Sequence, residues 1–166
     1  MNKLLLHSDV QDFINANLKT DIPGLILKGS PFKELNIQEL AEQIVSKSKC
    51  RHKLPSWYHT EGIYYPKSIN IEQSSSEITA RYKSALVQGK SMVDLSGGFG
   101  VDSYYFSKQF TRLTHCEIDA ELSEIAAHNF EVFGLNHVKF MTVDGMSFLQ
   151  TNTDTFDWLY IYPSRR

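Results

Sequence analysis

The run Val93-Asp94-Leu95-Ser96-Gly97-Gly98-Phe99-Gly100 is where this sequence concentrates its chemistry. Glycines between an apolar run and a helical pattern make a turn over which a ligand approaches the backbone closely. Many nucleotide-binding proteins share such a Gly98-x-Gly100 turn, so its neighbours must specify the ligand. Asp94 stands at the end of the run, where a dinucleotide-binding turn is usually apolar. A carboxylate there repels a pyrophosphate. It suits the ammonium end of a zwitterionic, phosphate-free ligand, directly or through water, or else it caps the turn. Ser103 stands where the dinucleotide fingerprint has a third Gly or Ala, a second point against a nicotinamide cofactor.

Further acids follow in register. Glu117, in Glu117-Ile118-Asp119-Ala120, lies about 20 residues beyond the glycines, where a carboxylate suits the two hydroxyls of a ribose. Asp119 is placed to cap the next helix. Asp144, before Gly145-Met146, is placed either to accept from the exocyclic amine of an adenine or simply to turn the chain.

Those residues need a frame, and the pattern after Gly89 supplies one. Strands are expected at 91–95, 113–117, 138–143 and 156–161, with helices at 101–110 and 121–133 between them. Alternation of this kind argues a parallel, doubly wound α/β sheet. The front is helical. Ser8 with Gln11, and Asn36 with Glu39, read as capping boxes, the second before Ile37, Leu40, Ala41, Ile44 and Val45 at helical spacing. Periodicity fails from Cys50 to Asn70, where Pro55, Gly62 and Pro66 alternate with Trp57, Tyr58, Tyr64 and Tyr65, so a long aromatic loop is expected. Ser74-Ser75-Ser76 then caps a helix through Ile78, Tyr82, Ala85 and Leu86. The organisation expected is a helical region over 1–70 and a nucleotide-binding region over 71–166.

Charge divides the same way: 12 Lys/Arg against 9 Asp/Glu over residues 1–90, then 5 against 10. Neither part is basic enough to indicate nucleic acid by charge alone. No apolar run approaches the roughly 20 residues of a membrane span. Cys50 and Cys116 match no metal spacing and the six histidines show none, so no metal site is expected, and a cytoplasmic location is. Lys47, Lys49, Arg51, His52 and Lys53 form a basic run before Trp57 and Tyr58. It reads as a charged helix end, or as a surface for RNA phosphates and a stacked base.

Residues 93–163 resemble class I methyltransferases that use S-adenosylmethionine (SAM), a Rossmann-like α/β fold. In that resemblance Asp94 serves the amino-acid end of SAM, Gly98 and Gly100 the backbone approach, Glu117 the ribose and Asp144 the adenine. Lys53-Leu54-Pro55-x-Trp57, Tyr65-Pro66 and Ile71-Glu72-Gln73-Ser74-Ser75-Ser76-Glu77-x-Thr79-Ala80 are similar to a bacterial methyltransferase family with a THUMP-like C-terminal domain. The Glu-Gln segment also resembles one beside the cofactor in RNA adenine-N6 methyltransferases, which implies that Gln73 lines the pocket. The resemblance implies methyl transfer to an RNA base.

The family reads Asp-Pro-x-Arg-Arg where this chain has Tyr162-Pro163-Ser164-Arg165-Arg166, which makes Tyr162 and Pro163 the catalytic candidates by register. A phenol is larger than the carboxylate it replaces and neutral near pH 7. Only four of seven strands are expected, so the chain reads as the front of a longer protein, with an exposed fourth-strand edge open to self-association or a partner. The rival readings are an inactive SAM-binding relic and, resting only on the turn and Glu117, a nicotinamide-dependent oxidoreductase.

Overall fold

The computed structural model describes residues 1–162. The chain divides into two compact units, Met1–Glu72 and Gln73–Arg166. Pro163, Arg165 and Arg166 lie outside the described residues.

In the first unit a 3-10 turn, Lys3–Leu6, leads into α1 (Ser8–Ala16), α2 (Ile22–Lys28), α3 (Ile37–Lys53), α4 (Pro55–His59) and α5 (Ser68–Gln73), which crosses the division. Asn36 and Glu39 form the capping box that opens α3. Ser8 forms none: His7 is the N-cap of α1, and the Gln11 amide turns back to the Leu5 carbonyl instead. α3 buries Leu40, Ala41 and Ile44 on one face.

The stretch from Cys50 to Asn70 is not the long loop its periodicity suggests. α3 runs on to Lys53, Pro55 starts α4, and α5 begins at Ser68. Side chains order the remainder. Buried Gln43 donates to the Tyr65 carbonyl at 2.6 Å and accepts from the Tyr65 N–H at 3.1 Å, and the Tyr65 hydroxyl donates to the Trp57 carbonyl. Lys47 is buried beside the rings of Tyr58 and Tyr65, Lys49 pairs with Glu72, and Lys53 donates to the carbonyls of Ile71 and Glu72. Three of the five basic residues in that run therefore tie the unit together.

The second unit holds α6 (Glu77–Ala85), β1 (Gly89–Asp94), α7 (Val101–Phe106), β2 (Phe110–Glu117), α8 (Ala120–Val132), β3 (Val138–Thr142), α9 (Gly145–Thr151) and β4 (Trp158–Tyr160). The strands are all parallel, in the order β3-β2-β1-β4. Helices cover both faces. Met92, Phe106, Phe110 and Leu113 pack on one side, and Val93, Leu95, Cys116 and Phe148 on the other, so neighbours Met92 and Val93 serve opposite layers. This is the doubly wound, Rossmann-like α/β fold that the sequence pattern predicts.

The chain steps from β1 outward to β3, then returns to the other side of β1 for β4. Ligands of open α/β sheets bind outside the carboxyl ends of the strands at such a reversal. Only Met92, Val93 and Asp94 pair with β4, one of the two edge strands among the described residues, and Trp158 and Leu159 are exposed. α6 is inverted relative to its sequence. It exposes Ile78, Tyr82 and Leu86 and buries Glu77, Ala80 and Ser84, with Glu77 accepting from the Tyr105 hydroxyl.

Candidate functional site

At the carboxyl end of β1 the chain turns through Ser96 and three residues, Gly97, Gly98 and Phe99, before Gly100 starts α7. Gly98 holds φ +56°, and a Cβ built there would meet nothing nearer than the Ser96 carbonyl oxygen at 3.9 Å. The backbone of the turn is therefore open on that side. Gly97 is the opposite case: a Cβ there would lie 2.2 Å from the His115 ring, so the turn rests on a buried imidazole. Gly100, at φ +88°, is the N-cap of α7.

Asp94 is buried beneath this turn, 1% exposed. Its Oδ1 accepts from the Ser96 N–H at 3.0 Å, and its Oδ2 accepts from the Ser103 hydroxyl at 2.6 Å. The Ser103 oxygen is also 3.0 Å from His115 Nδ1. Burial pushes the Asp94 carboxyl up to about 6, against the lowering effect of its bonds to Ser103 and Ser96. Burial pulls His115 down to about 4, opposed by the Gly98 backbone. The three side chains form a buried polar thread under the turn, and Asp94 shapes the turn from within.

Glu117 ends β2 and faces the turn from the other side. Its Oε2 accepts from the Gly98 N–H at 2.8 Å and its Oε1 from the Asp119 N–H at 2.8 Å. Asp119 caps α8 through the N–H groups of Glu121 and Leu122. Asp144 caps α9, its Oδ1 accepting from the Ser147 N–H and hydroxyl, and those bonds hold its carboxyl below the usual range. Gln73 is exposed at the end of α5, and the bonds that join these acids do not include it.

Two amides of the glycine turn, those of Ser96 and Gly98, thus already face carboxylates. A pyrophosphate needs such N–H groups for itself and a positive local field. The site is acidic instead. It suits a ligand that presents hydroxyls, an amine or an ammonium rather than phosphate, and the open backbone over Gly98 leaves room for one.

Where α6, α7 and the end of β4 meet lies a second cluster that the sequence does not single out. Lys83 of α6 pairs with Asp102 of α7 at 2.7 Å and donates to the Ser75 and Tyr160 hydroxyls. Those hydroxyls in turn donate to Asp102 Oδ2 at 2.9 and 3.0 Å. Tyr162 follows at once. Its N–H donates to the Ser96 hydroxyl at 2.6 Å, and its ring centroid is 4.8 Å from Lys83 Nζ. Nothing in the spacing of Ser75, Lys83 and Asp102 signals their meeting, which tertiary packing creates. No group of acids, histidines and cysteines able to hold a metal occurs among the described residues. No helix there is long and apolar enough to cross a membrane.

No family model matches the chain and no curated protein does. Solved structures do. One described as a "putative methyltransferase" from Porphyromonas gingivalis W83 is 27% identical and matches over 99% of this chain, with a TM-score of 0.82. The chain spans 42% of that protein's length. An O-methyltransferase from Bacillus cereus in complex with SAH is a remote likeness, 14% identical over 86% of this chain and 63% of its own, with a TM-score of 0.48.

Proposed function

We propose that this chain carries the cofactor-binding part of a SAM-dependent methyltransferase. One observation supports the reading above the others: the glycine turn spends its Gly98 and Ser96 amides on Glu117 and Asp94, which suits a phosphate-free nucleoside and opposes a dinucleotide. The likeness to the Porphyromonas gingivalis protein agrees with it.

In this reading Glu117 holds the ribose hydroxyls with the outer lone pairs of a carboxylate already fixed by Gly98 and Asp119. Gly98 and Gly100 provide the close approach, and Asp144 accepts from the adenine amine while its Oδ1 caps α9. Asp94 acts by holding the turn through Ser96 and Ser103 and by leaving negative potential beneath the ammonium. Gln73 belongs to the proposal by its resemblance to the Glu-Gln segment beside the cofactor in RNA adenine-N6 methyltransferases. Bound SAM supplies an already activated methyl group, so the protein's work is to bind, orient and exclude water.

The acceptor is an exocyclic amine of an RNA base, and the family is the one with a THUMP-like C-terminal domain. Both belong to the proposal and rest on the motifs between Lys53 and Ala80. Tyr162 then stands where an acceptor of the amine proton is required, and its neutral phenol makes it a weaker one than a carboxylate. That residue favours a second reading, a chain that binds SAM and transfers nothing.

Incubation with methyl-tritiated SAM and total bacterial RNA separates the two. Label recovered in RNA nucleosides supports transfer. Saturable SAM binding without label, restored by Tyr162→Asp, supports the binding-only form. Absence of SAM binding by a folded sample overturns both.

A further inference from the structure

We propose that Lys83, through Asp102 and Tyr160, is a positioning residue that sets the place of Tyr162 at the reacting end of the cofactor site. The inference rests on the methyltransferase reading and deepens it.

The ladder of β4 with β1 covers three residues, and the last backbone bond that holds it, from the Leu95 N–H to the Tyr160 carbonyl at 2.9 Å, stops short of Tyr162. Beyond Tyr160 the chain is held by side chains on two flanks. From the glycine turn, the Ser96 hydroxyl accepts from the Tyr162 N–H at 2.6 Å, and Ser96 is itself fixed by Asp94. From the helices, Lys83 donates to the Tyr160 hydroxyl at 2.7 Å and lies over the Tyr162 ring, while Asp102 accepts from that same hydroxyl. The Lys83 and Asp102 side chains are 21% and 11% exposed.

An ion pair so far removed from water stabilises a fold little better than apolar side chains of the same volume. What it supplies instead is a defined geometry, here with two hydroxyls, Ser75 and Tyr160, bridging cation to anion. The location matters as much as the chemistry. Asp102 lies in the first turn of α7, just after the glycine turn, and its partner Tyr160 ends β4, so the pair is tied to the side of β1 on which the strand order reverses, where open α/β sheets bind ligands. The acids for ribose and adenine follow β2 and β3, on the far side of β1. Lys83 therefore controls the wall at the sulfur and amino-acid end and leaves the nucleoside end alone.

The test compares two probes, S-adenosylhomocysteine and 5′-methylthioadenosine, which share the nucleoside and differ in the amino-acid end. Lys83→Met with Asp102→Asn removes both charges together, and Lys83→Arg keeps the cation. The double variant should bind S-adenosylhomocysteine about tenfold more weakly, because displacing a positioned wall by an ångström costs that much or more. Its affinity for 5′-methylthioadenosine should change less than about threefold. Lys83→Arg should stay near wild type for both. Equal weakening of both probes, or none, would overturn the proposal and leave the pair a tether between helices. If the double variant does not fold, Tyr160→Phe, which deletes only the shared hydroxyl, must show the same split on a smaller scale. Wild type that is folded but binds neither probe overturns the methyltransferase reading itself.

Discussion

The Gly98 N–H donates to Glu117 Oε2 at 2.8 Å, so the glycine turn after β1 and the acid that ends β2 form one unit. The acid is positioned before any ligand arrives, and the turn is fixed by the group that would hold the ribose. Replacing Glu117 with Ala should weaken S-adenosylhomocysteine binding about tenfold or more, the worth of a charged hydrogen bond. Glu117→Gln, which still accepts from Gly98, should lose less. Titration calorimetry of the two variants checks the order.

The buried thread under the turn predicts an unusual pH dependence. Asp94 rises in the fold from 3.8 to about 6, so its contribution to stability is complete below 3.8 and is lost as pH rises through 6. His115 falls from 6.5 to about 4, so its contribution is complete above 6.5 and is lost as pH falls through 4. Between pH 4 and 6 the two nearly cancel. Asp94→Asn should leave the histidine's effect, with stability rising as pH rises. His115→Asn should leave the reverse. Each slope should approach about 1.4 kcal/mol per pH unit, read from urea unfolding across that range.

Gly97 is packed on His115 so closely that a methyl group has no room: its Cβ would stand 2.2 Å from the ring. The ring cannot yield easily, being fully buried and held by Ser103. Gly97→Ala should cost about 3 kcal/mol, at the upper end for overpacking. In a His115→Ala background the same change should cost about 1 kcal/mol or less, because neighbouring substitutions couple. Denaturant titration of the four proteins closes the cycle.

Asp144 has a structural duty that Asn can also perform, since either side chain caps a helix equally well. Asp144→Asn therefore isolates the adenine contact proposed for its carboxylate. Thermal midpoint should stay unchanged while S-adenosylhomocysteine affinity falls by about threefold or more, the loss of one charge-assisted acceptor.

Much of the second unit is legible in the sequence. The glycine run, the acids that follow it and the alternation of apolar runs locate β1 to β4; the central pair, β1 and β2, is buried and so leaves short continuous apolar stretches. Helix ends are less well marked: Phe110 belongs to β2 rather than to α7, since its apolar side chain fits either pattern. The segment from Cys50 to Asn70 hides its order because that order comes from Gln43 bonding the Tyr65 backbone and Tyr65 reaching Trp57, contacts no local period encodes. α6 misleads for a related reason. Its apolar stripe faces outward, and Glu77 turns inward to the Tyr105 hydroxyl. Around the glycine turn, Asp94 and Glu117 stand out by position alone, and both bond the turn's backbone. Their partners Ser96, Ser103 and His115 are ordinary residues until the fold brings them together.

Calorimetric titration of the chain with S-adenosylhomocysteine, beside one with NADH, tests the central claim most directly. The account predicts saturable one-to-one binding of the first and no binding of the second, because the Ser96 and Gly98 amides of the turn already face carboxylates. A folded, monodisperse sample that binds NADH and leaves S-adenosylhomocysteine in solution would contradict it.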